Sequence, residues 1–169
     1  VLSTAVGATK KASLNAPNDF DVDSAPWDDT APTATVFTVG TKDATNKNGD
    51  ELIAYCWHSI SGYSKIGIYT GNNTTSNTIY TTDDGTSGGA NGFEPGWLLI
   101  KRVDASANWR ILDNTRSTSN PRDKELYPNL INQEGTFSAA NFNSNSFEII
   151  TTDTSYNALN GEYLYLVIK

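Results

Sequence analysis

The stretch Gly92–Arg116, GFEPGWLLIKRVDASANWRILDNTR, decides the fold. Its Gly/Pro entry leads into Trp97-Leu98-Leu99-Ile100-Lys101-Arg102-Val103. A polar link at Asp104–Asn108 then hands over to Trp109-Arg110-Ile111-Leu112. The first run is apolar on both alternating faces, so it reads as a strand covered on both sides rather than a half-wet one. Val, Ile and Trp suit a pleated surface, and the link is short enough for a hairpin.

Outward from this pair, further strands are expected at Thr33–Thr41 (TATVFTVGT), Glu51–His58 (ELIAYCWH), Lys65–Thr70 (KIGIYT), Phe147–Thr152 (FEIITT) and Glu162–Lys169 (EYLYLVIK). Thr78–Thr81 extends another, and Glu125–Ile131 is a short strand or turn broken by Pro128. Between them lie turn-rich segments such as Asn15–Asp23, Lys42–Asp50, Asp83–Gly92 and Ser117–Lys124, where Asn, Asp, Gly and Pro favour loops. Asn132–Ala140 reads as irregular, with Phe137 and Phe142 as inward anchors. No convincing helix appears. Strands at this spacing, divided by turn signals, imply an all-β protein built as an antiparallel β-sandwich.

Composition points the same way. The 169 residues suffice for one ordinary domain or two very small ones. Ser, Thr, Asn and Gly are too abundant for a helical bundle, while 11% aromatic residues is too many for disorder. A formal charge of −7 and a pI near 4.5 argue against a nucleic-acid surface, which needs clustered Lys and Arg. Cys56 is alone, so no intrachain disulfide and no Cys-rich zinc site can form. In its apolar run it reads as a small buried hydrophobe. No run approaches a membrane span, and Val1–Ala8 lacks the pattern of a secretion signal. The chain has no methionine, which is expected of a processed form or a piece of something longer.

Two stretches echo each other: Val36–His58, VFTVGTKDATNKNGDELIAYCWH, and Phe147–Lys169, FEIITTDTSYNALNGEYLYLVIK. Each is strand, polar Asn-containing loop, Gly beside an acid, then an apolar strand. Phe37 aligns with Phe147 and Glu51 with Glu162, which indicates an internal duplication. On this reading residues 1–58 are the second half of one β-sandwich repeat, 59–64 a linker, and 65–169 a complete unit. The counterpart of GFEPGWLLIKR is missing from the first.

Chemistry-bearing candidates are sparse. Asp19, Asp21 and Asp23 alternate like the start of a calcium loop, but Ser24 and Thr30 stand where the turn Gly and the bidentate Glu belong. A solvated acidic loop is the default, and a calcium site of another kind the alternative. His58, the only histidine, has no nucleophile signature near it. Glu51 and Glu162 sit at equivalent repeat positions, which speaks for a structural role rather than for a glycosidase pair. Trp27, Trp109, Tyr63 and Tyr80 lie near loops or strand ends and could stack on sugar faces, although aromatics in a sandwich are more often core.

The strings GFEPGWLLIKRVDASANWRILDNTR, KELYPNL and NGEYLYLVIK, with WDDTAPTATVFTVGT and GDELIAYCWH upstream, resemble a repeat domain of virion proteins from tailed phages, many of them marine. The resemblance covers most of the chain from about Gly7 onward. It implies a lectin-like or concanavalin-like (jelly-roll) β-sandwich in a fibre, tail or head-decoration protein, and it supplies no catalytic residues. The expected function is therefore non-enzymatic. It would be a structural or adsorption component of the virion, partnered by copies of itself and other virion proteins, in contact with host-surface glycans, with neither nucleic acid nor membrane insertion. A carbohydrate-binding module, with or without calcium, is the alternative; a glycan depolymerase fragment is a weaker third.

Overall fold

A computed structural model describes the whole chain, Val1–Lys169. It is an all-β antiparallel protein. The two-residue strands β1 (Lys10–Lys11) and β2 (Asp21–Val22) pair with each other near the N-terminus. The main sheet is made by β3 (Ser64–Thr70), β4 (Asn77–Tyr80), β5 (Trp97–Arg102), β6 (Arg110–Asp113), β7 (Arg122–Leu126), β8 (Gly135–Asn143), β9 (Ser146–Ile149) and β10 (Glu162–Ile168). Two single helical turns interrupt the loops, α1 (Asp43–Asn46) and α2 (Thr154–Asn157).

The eight strands of the main sheet run in the order β3-β10-β5-β6-β7-β8-β9-β4. Strands β5 and β6 form the expected hairpin, with Trp97 opposite Asp113 and Leu98 opposite Leu112. Strand β10 lies between β3 and β5, so that Tyr165 faces Gly67 on one side and Ile100 on the other. A Cβ on Gly67 would come within 2.7 Å of the Tyr165 hydroxyl, which is why a glycine interrupts the apolar run of β3.

The sheet curls over one core. Tyr69 from β3, Leu98 and Ile100 from β5, Phe142 from β8, Phe147 and Ile149 from β9, and Tyr163, Tyr165 and Val167 from β10 belong to a single buried cluster, with Ile79 of β4 packed against it. Both ends of the sheet thus press on the same interior, as the layers of a sandwich do. Tyr69 stacks on Tyr163 at 4.9 Å and meets Phe147 edge-on at 6.1 Å.

The outer face of β5 is covered as well. Ala12 and Phe20 pack with Val103, Trp109 and Leu164, and Val6, Ile66 and Leu99 flank them. Backbone bonds fasten the N-terminal segment there, from Phe20 N to Val103 O at 3.2 Å and from Ala107 N to Pro17 O at 2.9 Å. Lys101 is fully covered by this segment and donates its ammonium to Pro17 O (3.2 Å) and Arg102 O (2.7 Å). This explains why WLLIKR carries apolar residues on both faces.

Three expectations fail. Thr33–Thr41 and Glu51–His58 form no strand, and Cys56 is exposed rather than buried. Thr33–Val36 closes into a turn through Thr33 N to Val36 O, and the Gly40 and Thr41 N–H groups bond only the turn at Ala25–Pro26; Glu51–His58 has no neighbouring backbone to form a ladder with. Conversely, β8 falls on chain expected to be irregular, and β7 starts within the expected Ser117–Lys124 loop and ends in the short strand or turn expected from Glu125. Strand β7 (RDKEL) buries Arg122 and Glu125 through charge pairing, which a search for apolar alternation does not detect.

Candidate functional site

Between Thr33 and Ser59 the chain lies open. Val36, Phe37, Val39, Leu52, Ile53, Tyr55 and Trp57 are all exposed, Ile53 at 82% and Tyr55 at 75%. Tyr55 and Trp57 stack on each other at 6.1 Å, and both are exposed. No backbone N–H or C=O from Glu51 through Ser59 bonds to another backbone group. Burying a large apolar side chain is worth about 1.5–3 kcal/mol, so this arm forgoes a substantial stabilisation. A contiguous apolar surface of this kind marks a contact site.

The arm is not shapeless, because the loop that leads into it shares several backbone bonds with the loop before β10. Thr45 N and Asn46 N both bond Lys42 O (2.9 and 2.8 Å), as Tyr156 N and Asn157 N bond Asp153 O (2.9 and 2.8 Å). Asp50 N bonds Lys47 O, as Gly161 N bonds Ala158 O. The Asn46 side chain donates to Gly40 O at 2.8 Å, and that of Asn157 to Thr151 O at 3.1 Å. Gly49 (φ 85°) and Asn160 (φ 59°) take the same left-handed place in the turn. The two turns are alike, and each is followed by a glutamate and an apolar run, Glu51 before the arm and Glu162 at the start of β10.

The turn at the base of the arm is held against residues 23–28. Gly40 N bonds Pro26 O and Thr41 N bonds Ala25 O, both at 2.8 Å, and Lys42 pairs with Asp23 at 2.9 Å. A Cβ on Gly40 would sit 2.1 Å from Ala25 O, so only glycine permits this approach.

The residues singled out from sequence do not converge. Trp109 is 1% exposed, its Nε1 donates to Ser13 O at 3.0 Å, and its ring packs with Phe20. It is core, and cannot be a sugar platform. Trp27 is half-buried with its Nε1 enclosed. Tyr63 is exposed in the turn before β3, and Tyr80 is half-buried at the end of β4. Asp19, Asp21 and Asp23 are not gathered into a calcium site. Asp21 reaches Lys11 at 3.6 Å, Asp23 reaches Lys42, and the Asp19 charge acts on Lys101. No group of three or more His, Cys, Asp or Glu side chains is placed to hold a metal ion.

Two shallow cavities open beside β3. One of about 350 Å³, between β3 and β4, is lined by Lys65, Tyr69, Asn77, Tyr80, Asp84 and Tyr165. The other, of about 230 Å³, is lined by Ser59, Ser61, Ser64, Lys65, Thr81 and Asp83. Within the second, Ser61 already donates to Asp83 (3.0 Å), and Ser64 donates to the carbonyl of His58 rather than to its ring. Glu125 is the one buried carboxylate, and sequence reading missed it. It accepts from Arg110 at 2.8 Å, from Tyr156 at 2.6 Å and from Tyr127. With both oxygens taken by these donors, it pins β6, β7 and α2 together.

The fold defines a class: an all-β protein built on one large antiparallel sheet of eight strands. The chain belongs to the family described as domain of unknown function DUF7483, whose model matches residues 1–169. No curated protein and no solved structure matches it significantly.

Proposed function

We propose that this protein is a non-enzymatic structural component of a phage particle, in fibre, tail or head decoration, and that it works by assembly through its β-sheet units. The observation that carries the reading is the bare apolar arm from Val36 to Trp57 on a chain of net charge −7. Charge keeps the chain soluble, while the arm awaits a specific cover. Its partners are copies of itself and other virion proteins, and the resemblance of GFEPGWLLIKR and NGEYLYLVIK to phage repeat domains supports the setting. The only buried carboxylate is engaged in holding the sheet together, which favours architecture over catalysis.

Antibody raised against the exposed Asp83–Gly92 loop tests this by electron microscopy of purified particles. Decoration at a fixed position on the virion is the expected result. Particles that lack the chain would overturn the reading. A second reading, glycan binding, rests on Tyr80 beside Asn77 and Asp84 at the larger cavity. It calls for glycan-array binding that Tyr80→Ala abolishes, measured with and without a chelator.

A further inference from the structure

We propose that Leu52–Trp57 is an unpaired central strand, and that its occupant is the first half of a unit of the same repeat. That occupant is a polypeptide presenting one strand like β3 and one like β5 with the place between them vacant. The inference rests on the assembly reading above and names the partner it requires.

The equivalence of the two loops sets the register. Continuing from Glu51 and Glu162, Leu52 takes the place of Tyr163, Ala54 of Tyr165 and Cys56 of Val167, the three β10 residues that point into the core. Ile53, Tyr55 and Trp57 take the places of Leu164, Leu166 and Ile168 on the outer face. In β10 every one of these residues has a partner on both sides, for example Leu164 with Ile68 and Lys101, or Val167 with Lys65 and Leu98. In the arm every corresponding position is bare. A segment with apolar residues at alternate positions on both sides and no backbone partner on either edge suits the middle of a sheet.

A second copy of this chain does not offer that place. Its β5 is flanked by β10 and β6, and its β3 is paired along its whole length with β10. The outer edge of β3 is already partly taken, by Ser59 Oγ on Ile66 N and by the Asn77 side chain on Thr70 O. The occupant must therefore bring β3-like and β5-like strands that lack a closing strand of their own.

Cys56 is the only cysteine and lies mid-arm, so thiol labelling reads coverage directly. In the chain as it stands, Cys56 should react with a maleimide as fast as an open peptide thiol, at every protein concentration. A chain extended by a second copy of residues 59–111 ahead of Val1 supplies a β3-like and a β5-like strand without a closing strand. Its Cys56 should react at least about 100-fold more slowly, since labelling would then require local opening. Ile53→Asp should lower the melting temperature of the extended chain and leave that of the original unchanged. Labelling of the extended chain at the original rate, or an extension that stays unstructured, overturns the proposal. Protection that grows with concentration in the original chain also overturns it, and identifies a second copy as the occupant. Absence from the virion would remove the phage setting without altering any of these results.

Discussion

Lys101 shows how a charged residue can sit at the centre of the sheet, and what that costs. Burial lowers its pKa from the ordinary 10.5 to about 8; Asp19 pulls it back up, while Arg102 adds to the depression. Between about pH 8 and 10.5 the unfolded chain holds more protons than the folded one, so stability should climb with pH across that window. The tyrosines act in the opposite sense. Burial pushes Tyr165 up to about 12 and lifts Tyr69 and Tyr156 well above 10.0, so the folded chain keeps protons that the unfolded chain loses. Stability should therefore turn over near pH 10 and fall beyond it. Urea midpoints measured across pH should show this rise and fall. Lys101→Met should lose most of the climb, leaving the part owed to Lys65, which burial also holds below its ordinary value, and should keep the fall; a variant with the full climb would contradict the assignment.

At the scale of elements, the two equivalent loops make an internal control. Asn157 is fully buried, and its side chain donates to Asn72 Oδ1, Thr74 O and Thr151 O while accepting from Asn72 N and Asn77. It ties α2 to the loop between β3 and β4 and to Asn77 at the start of β4. Asn46 keeps only the bond to Gly40 O and is exposed. Asn157→Ala should cost about 2–3 kcal/mol, because several buried polar groups lose partners at once. Asn46→Ala should stay within about 0.5 kcal/mol, as for most surface changes. Chemical denaturation of both variants checks this. Equal costs would mean that the first loop is packed against something after all.

The same contrast shows how much was legible in the sequence. Strands β3, β5, β6, β9 and β10 announce themselves by apolar runs between turn residues, and the structure places strands there. The echo between Val36–His58 and Phe147–Lys169 is legible too, and the turns within the two stretches share several backbone bonds. What sequence could not supply is context. The arm has the pattern of a central strand and lacks the neighbours, so pattern alone misassigned it. Strand β7 has the neighbours and lacks the pattern, since Arg122 reaches Ser117 O at 2.6 Å and Glu125 reaches Arg110. Trp109 looked like a loop-edge platform only because the segment that covers it, Ala12–Phe20, lies far away in sequence.

For the molecule as a whole, the account is of one completed sheet and one strand still to be completed. Two stretches of matching design are in opposite states because one has neighbours and the other does not. No helix is long and apolar enough to cross a membrane, so a bilayer-spanning helix is not what the arm provides. The cover proposed for it is another protein sheet.

Amide hydrogen exchange on the isolated chain, read by mass spectrometry over Leu52–Trp57 and Tyr163–Ile168, tests this most directly. The account predicts that the first segment exchanges at nearly the rate of an unstructured peptide, while the second is protected close to the limit of global unfolding. Equal protection of the two segments in the dilute, isolated chain would contradict it, because the arm would then already have its neighbours.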